Sequence, residues 1–310
     1  MTLALAAAGE NSKMLYRQIE AGAEVSLMPM DPADIRKAVI DGDDFGHEMR
    51  VRNVLAVTPA IIFEHGGTYT DEVTGKPRQF DFRCSLRKEN ALLSLAVECK
   101  NLSVEAPLVI SGTWRRKEEA FHDLIESRTG HFRTESLVFD GLTSTTRRSR
   151  GQESFYVPKN FVGKSLLRLK QSKTVPVAVT DADIYDRWSQ ALASAIDLTR
   201  KACDLSKEFQ LPHVFSAVLP VVVVANDALW AVIYDDNGDM LDQPKSVKSC
   251  ELYVGRAMRL NEEPKAFSHQ FTFSHVHFFT LSGFDSFLDR MVTNDKAWAV
   301  LFNTNAAEHR

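Results

Sequence analysis

Asp81, Glu98 and Lys100 are the residues of this 310-residue chain whose types and spacing bear most directly on chemistry. Two carboxylates and an ammonium on one face of a hairpin would make an oxygen-only site of the kind that holds magnesium, manganese or calcium. The elements that must position them are two strands. Residues 78 to 87 alternate, with Phe80, Phe82, Cys84 and Leu86 on one side and Gln79, Asp81, Arg83, Ser85 and Arg87 on the other. Residues 92 to 100 alternate too, with Leu93, Leu95, Val97 and Cys99 apolar and Ser94, Ala96, Glu98 and Lys100 opposite. A reversal through Glu89-Asn90 pairs Leu86 with Leu93, Cys84 with Leu95, Phe82 with Val97 and Phe80 with Cys99. The same register sets Asp81 against Glu98 and Gln79 against Lys100. A slip of one residue would set core side chains against polar ones, so burial of the apolar face enforces the pairing of the acids. Like charges facing each other are destabilising, and a bound cation offsets that cost.

Asp81 followed by Glu98-Cys99-Lys100 on the next strand resembles the D...(E/D)xK signature of the PD-(D/E)XK, or restriction-endonuclease-like, nuclease superfamily. Phe80 stands where the family name has proline. The resemblance implies that Asp81, Glu98 and the backbone carbonyl of Cys99 hold a divalent metal, Mg2+ or Mn2+, at a scissile phosphate. Lys100 would orient or deprotonate the attacking water. It further implies an acid from the preceding helix, matched by Glu48 in Phe45-Gly46-His47-Glu48, and a glutamine on the following helix, matched by Gln190 in Trp188-Ser189-Gln190-Ala191-Leu192. The expected function is a metal-dependent endonuclease acting on DNA. A non-cleaving nuclease-fold binding module and an RNA-cleaving enzyme stay open as alternatives.

The expected fold is α/β with a restriction-endonuclease-like core, a mixed central sheet flanked by helices. That core covers about 31–101 and 183–234, with an inserted segment over about 102–182 and a C-terminal extension of the sheet over about 235–310. A helix opens at Asp31-Pro32, with Ile35, Val39 and Ile40 at helical spacing. A second runs from about Asp43-Asp44 to Val57 and carries Glu48. Residues 60 to 70 read as a strand and Asp71 to Pro77 as a turn. Leu108 to Trp114 reads as a further strand, followed by an irregular tract through Arg150 rich in Ser, Thr and Arg. Asp181 or Asp183 caps a helix through about Phe209. The unbroken apolar run Val214 to Val224 reads as a fully buried strand, followed by strands at Leu229 to Tyr234, 250 to 257 and 271 to 281 and a helix near 284 to 293.

Composition is that of an ordinary globular chain, 44% hydrophobic and 25% charged. The Leu3 to Ala8 run lacks the basic flank and length of a signal sequence, and no window approaches a membrane span. A cytoplasmic location without membrane contact is expected, and a homo-oligomer stays open. Cys84, Cys99, Cys203 and Cys250 are scattered without metal-ligand spacing and read as core residues. The net charge of -4 hides an uneven distribution: residues 111 to 173 hold 13 Lys+Arg against 7 Asp+Glu. A basic segment beside an acidic metal site suits a phosphodiester substrate, so Arg115, Arg116, Arg147, Arg148 and Lys164 are candidate phosphate contacts, without sequence reading.

Other patterns carry less. Gly163-Lys164-Ser165 ends like a phosphate-binding loop, but the required glycine five residues earlier is Pro158. His275-Val276-His277 places both imidazoles on one strand face with no third ligand nearby in sequence. Asp235, Asp236 and Asp239 surround Gly238 as turn acids. No G-x-S-x-G, Cys-x-x-Cys or G-x-G-x-x-G occurs, so hydrolase-elbow, zinc-ribbon and dinucleotide readings have no support.

Overall fold

A computed structural model describes residues 30–72, 74–133, 138–171, 176–179, 182–260 and 270–302, and the chain divides into two units, 1–41 and 42–310. In the first, Pro32 opens helix α1 (Pro32–Gly42), where its fixed φ suits a first turn, and the Asp31 carboxylate accepts a 2.7 Å bond from Ala33 N. Ile35, Val39 and Ile40 on this helix are exposed.

The second unit runs through helix α2 (Phe45–Val57) into a meander of β1 (Ile61–Thr70), β2 (Pro77–Lys88) and β3 (Ala91–Lys100). Strands β4 (Leu108–Trp114), β5 (Phe121–Arg133), β6 (Val138–Arg150), β7 (Phe161–Gln171) and β8 (Pro176–Val179) follow, then helices α3 (Ala182–Ala202) and α4 (Leu205–Glu208). The chain continues as β9 (His213–Val224), β10 (Leu229–Ile233), β11 (Lys245–Ser246), β12 (Ser249–Arg259), β13 (Gln270–Thr280), α5 (Leu281–Thr293) and α6 (Asp295–Phe302). The strands form a mixed sheet in the order β1-β2-β3-β9-β13-β12-β7-β4-β10-β11, with β5 on β9, β6 on β5 and β8 on β7. The fold is therefore α/β, a large mixed sheet flanked by helices. No helix among the described residues is long and apolar enough to cross a membrane.

Strand β3 is buried along its whole length and β9 over its last nine residues, because each is covered on both faces. On one face Leu93, Leu95, Val97 and Cys99 pack with Val51 and Leu55 of α2 and with Phe284, Phe287, Leu288 and Met291 of α5. On the other, Leu92 and Ala96 pack with Leu192, Ala195 and Ile196 of α3. The hairpin has the expected register, from Lys88↔Ala91 through Leu86↔Leu93 and Cys84↔Leu95 to Phe82↔Val97. The four cysteines are buried free thiols.

Two parts of the order differ from the sequence expectation. Residues 121–133 and 138–150 are not irregular: β5 and β6 pair continuously from Phe121↔Arg150 to Arg133↔Val138. Their Ser, Thr and Arg content belongs to a hairpin with polar side chains, in which β-branched threonines fit the pleat. The strand beside the end of β9 is the C-terminal β13, expected only as part of an extension of the sheet, parallel through His277↔Val221 to Thr280↔Val224. β13 is buried at every position after its first, whereas β10 lies far along the sheet beside β4.

The turn carries strain. Glu89 has φ 52°, left-handed backbone that a residue with a Cβ adopts at a cost of about 1–2 kcal/mol. Glu89→Gly is expected to be more stable than Glu89→Val by about 1–2 kcal/mol in urea unfolding, because valine's β-branch makes positive φ worse. Equal midpoints would contradict this.

Candidate functional site

The acidic cluster forms where β3 runs out of ladder. β2 and β3 are paired as far as Phe82↔Val97, and one residue on, the Asp81 carboxylate accepts a 2.6 Å bond from Cys99 N in place of a strand carbonyl. Beyond it, Lys100 Nζ donates to Glu98 Oε1 at 2.7 Å and to Asp44 Oδ2 at 3.4 Å. Asp44 precedes α2, and its other oxygen accepts from Asn101 N at 2.6 Å. It thereby ties the start of the helix to the end of the strand. Glu48, one turn into α2, pairs with His65 Nε2 at 3.4 Å. His65 is stacked on Phe82, ring centres 4.4 Å apart, which fixes its orientation.

The electrostatics are those of acids taken out of water. Burial, reinforced by the charges of Glu48 and Asp44, pushes Asp81 up to about 6 against the Cys99 bond and Lys100. Glu98 rises to about 7 by burial, opposed by Lys100 and reinforced by Asp81 and Asp44. Burial works to lower Lys100, but Glu98, Asp44 and Asp81 outweigh it and its ammonium is held above the usual lysine value. The Cys99 thiol is pushed well up by burial and then by the surrounding acids, so it stays protonated and has only its backbone to offer.

Asp81, Glu98, Cys99 and Lys100 are thus brought together, with Glu48 close enough to act on Asp81 through its charge. Gln190 on α3 stands one residue away: its carbonyl accepts from Tyr69 Oη at 3.3 Å, and Tyr69 is raised to about 12 by burial and then by Glu98. The basic candidates lie elsewhere. Arg115 is only 3% exposed and spends its guanidinium on His275, the Val157 carbonyl and Glu251. Arg148 grips Asp123 with two bonds of 2.6 and 2.7 Å and also reaches Thr272 Oγ1. Arg147 lies over the ring of Phe215, Arg116 is an exposed partner of Asp236, and Lys164 pairs with Glu119. His275 and His277 are buried and bonded, to Arg115 and Ser274 and to Tyr156, with both ring values lowered first by burial. Asp235 accepts from Asn237 N and Asp239 N, each at 2.9 Å, which is an Asx turn.

Sequence reasoning missed Asp44, His65 and Tyr69. Asp44 was legible in principle, since it lies four residues before Glu48 and shares its helix face. His65 and Tyr69 become site neighbours only through the twist of β1, for which the sequence carries no signal. Among the described residues no three His, Cys, Asp or Glu side chains are grouped to hold a metal. The donors present are nonetheless hard oxygens, and their values are raised first by burial and then by neighbouring acids, a cost that a divalent ion would offset. Comparison with protein-family models, with curated proteins and with solved structures finds no match.

Because Asp81 titrates higher in the fold than its ordinary 3.8, folding is hindered where that carboxyl must ionise. The deficit is absent below the ordinary value, grows as pH rises, and is complete above about 6. Asp81→Asn, which keeps an acceptor for Cys99 N, is expected to exceed wild type in stability at pH 8 by about 1–3 kcal/mol and to lose most of that margin near pH 4. Chemical denaturation at both values checks it; a margin that grows on acidification would refute the assignment.

Proposed function

We propose that this chain is a metal-dependent nuclease with a restriction-endonuclease-like core, hydrolysing phosphodiester bonds in DNA. What supports this is the gathering of Asp81, Glu98 and Lys100 at the buried end of one strand, beside a helix that supplies Asp44 and Glu48. The sequence of a helix, a three-stranded meander, a long helix and a parallel fourth strand agrees with that core. Asp81 and Glu98 would hold Mg2+ or Mn2+, together with the Cys99 carbonyl and water. The bound ion would polarise a phosphoryl oxygen and acidify a water. The Lys100 ammonium, fixed between Glu98 and Asp44, supplies positive charge toward a phosphate and a proton donor aimed by two carboxylates. The His65 contact holds Glu48. Since burial keeps both carboxyls protonated to unusually high pH, an entering ion must displace protons, and its affinity falls as pH drops through 7 to 6.

Supercoiled DNA, linear DNA and RNA incubated with Mg2+ or Mn2+ test the reading. Wild type is expected to cut DNA, while Asp81→Ala, Glu98→Ala and Lys100→Ala lose roughly 10²–10³-fold in rate. Asp44→Asn, which leaves Lys100 its Glu98 partner, is expected to lose about tenfold. Equal cleavage by all five proteins would sink the assignment. A wild type that binds DNA without cutting would favour a non-cleaving module, the alternative to which the lack of a third side-chain ligand among the described residues lends weight.

A further inference from the structure

A cavity of about 590 Å³ opens between α3, the β1–β2 turn and strands β7 and β12. Its size lies within the roughly 300–1,000 Å³ of small-ligand sites, and its lining combines three kinds of group. Lys164, Arg256 and Arg78 are cationic, Trp188 and Tyr253 aromatic, and Gln190 is an amide residue. Asp71, the acid in the wall, is engaged by Arg78 at 2.7 Å and Lys164 is engaged by Glu119, so a bound phosphate would share Lys164 with Glu119 and meet the charge of Arg256 beside it. Lys164 Nζ lies 4.9 Å from the centre of the Tyr253 ring, which places a cation beside an aromatic surface. Arg256 is exposed.

The cavity adjoins the acidic cluster. Trp188 also lines a small apolar void of about 30 Å³ that Lys100 borders, and Tyr69, which feels the charge of Glu98, donates to the carbonyl of Gln190. Trp188 and Gln190 of the cavity wall are thus linked to the Glu98–Lys100 pair, the first through a shared void and the second through Tyr69. Cations for a phosphate, rings for a base and an amide for a base edge are the groups that recognise an unpaired nucleotide.

We propose that this cavity binds one nucleoside phosphate unit, with its phosphate at Lys164 and Arg256 and its base against Trp188 and Tyr253. The unit is either a free nucleotide or an unpaired nucleotide of a strand whose neighbouring phosphodiester reaches the acidic cluster. The second source rests on the nuclease reading and makes single-stranded or flapped DNA the preferred substrate; the first does not.

The test uses the full chain in EDTA, so that nothing is cut. Deoxyadenosine monophosphate is titrated by calorimetry, and a labelled twelve-nucleotide oligothymidylate and a duplex of equal length by anisotropy, for wild type, Arg256→Glu and Trp188→Leu. Arg256 is exposed, so its variant keeps the fold, checked by circular dichroism. Single strand is expected to bind more tightly than duplex, and each substitution to weaken it by about tenfold or more. Monophosphate binding lost in Arg256→Glu identifies the free nucleotide as occupant; binding of the strand alone, sensitive to both substitutions, identifies the strand. Undiminished strand binding by both variants with no monophosphate binding overturns the proposal, and if Asp81-dependent cleavage persists the nuclease reading survives it. Binding that depends on Arg256 in a protein that never cuts would uphold the cavity assignment and overturn the nuclease reading.

Discussion

Everything near the site depends on placing an ammonium and a carboxyl at the end of a strand that is covered on both faces. Glu98 and Lys100 are 4% and 9% exposed, and leaving one such charge unpaired in the interior costs on the order of 3–5 kcal/mol. The 2.7 Å contact between them is therefore obligatory. It is also incomplete, since an ammonium has three protons to place. Asp44 takes part of that demand from just before α2, and with its other oxygen caps the strand at Asn101 N. The start of α2 is thus fixed by charge, while Val51 and Leu55, about two and three turns later, fix its flank against Leu93, Leu95 and Val97. Polar and apolar contacts locate the same helix, and Glu48 is aimed as a consequence.

The other side of the site follows from Asp81. By accepting from Cys99 N it substitutes a side chain for a ladder bond, and two residues further along β2 Arg83 lies over the rings of Phe80 and of Tyr69 on β1. Arg83 is buried and must itself be neutralised. It pairs with Asp197 at 2.8 Å and donates to Ser194 at 3.2 Å, both on α3. Arg83 thereby helps to set where α3 docks, and with it the position of Gln190 and of the cavity wall.

How much of this could be read from the sequence varies with the range of the interaction. The β2–β3 register was legible because a period of two over two facing strands admits one alignment that buries Cys84, Leu86, Leu93 and Leu95 together, and the two-residue turn formed despite an unfavourable glutamate. The hairpin of β5 and β6 was not legible, because its long polar stretches show no contrast between faces. The place of β13 beside β9 was hidden because the pairing joins His277 to Val221 across the chain. Arg115 and Arg148 misled for the same reason: a count of charges treats each as a cation facing water, while His275, Glu251, Asp123 and Thr272 come to them from distant strands.

Those arginines also give a standard for judging the acidic cluster. Arg148 meets Asp123 one to one, and Arg115 meets Glu251 one to one, as expected where charge is buried only to hold a fold. At the end of β3 the balance differs. Asp44, Asp81 and Glu98 surround one ammonium, and the charges of Asp44 and of Glu48 add to the burial that makes Asp81 resist ionisation. A cluster selected for stability alone would be improved by replacing Asp81 with a neutral acceptor, since the Cys99 bond needs an acceptor and not a charge. A buried carboxylate at a position that an amide could fill is the physical reason behind the proposal that the cluster is a site, rather than a salt bridge that happens to be crowded.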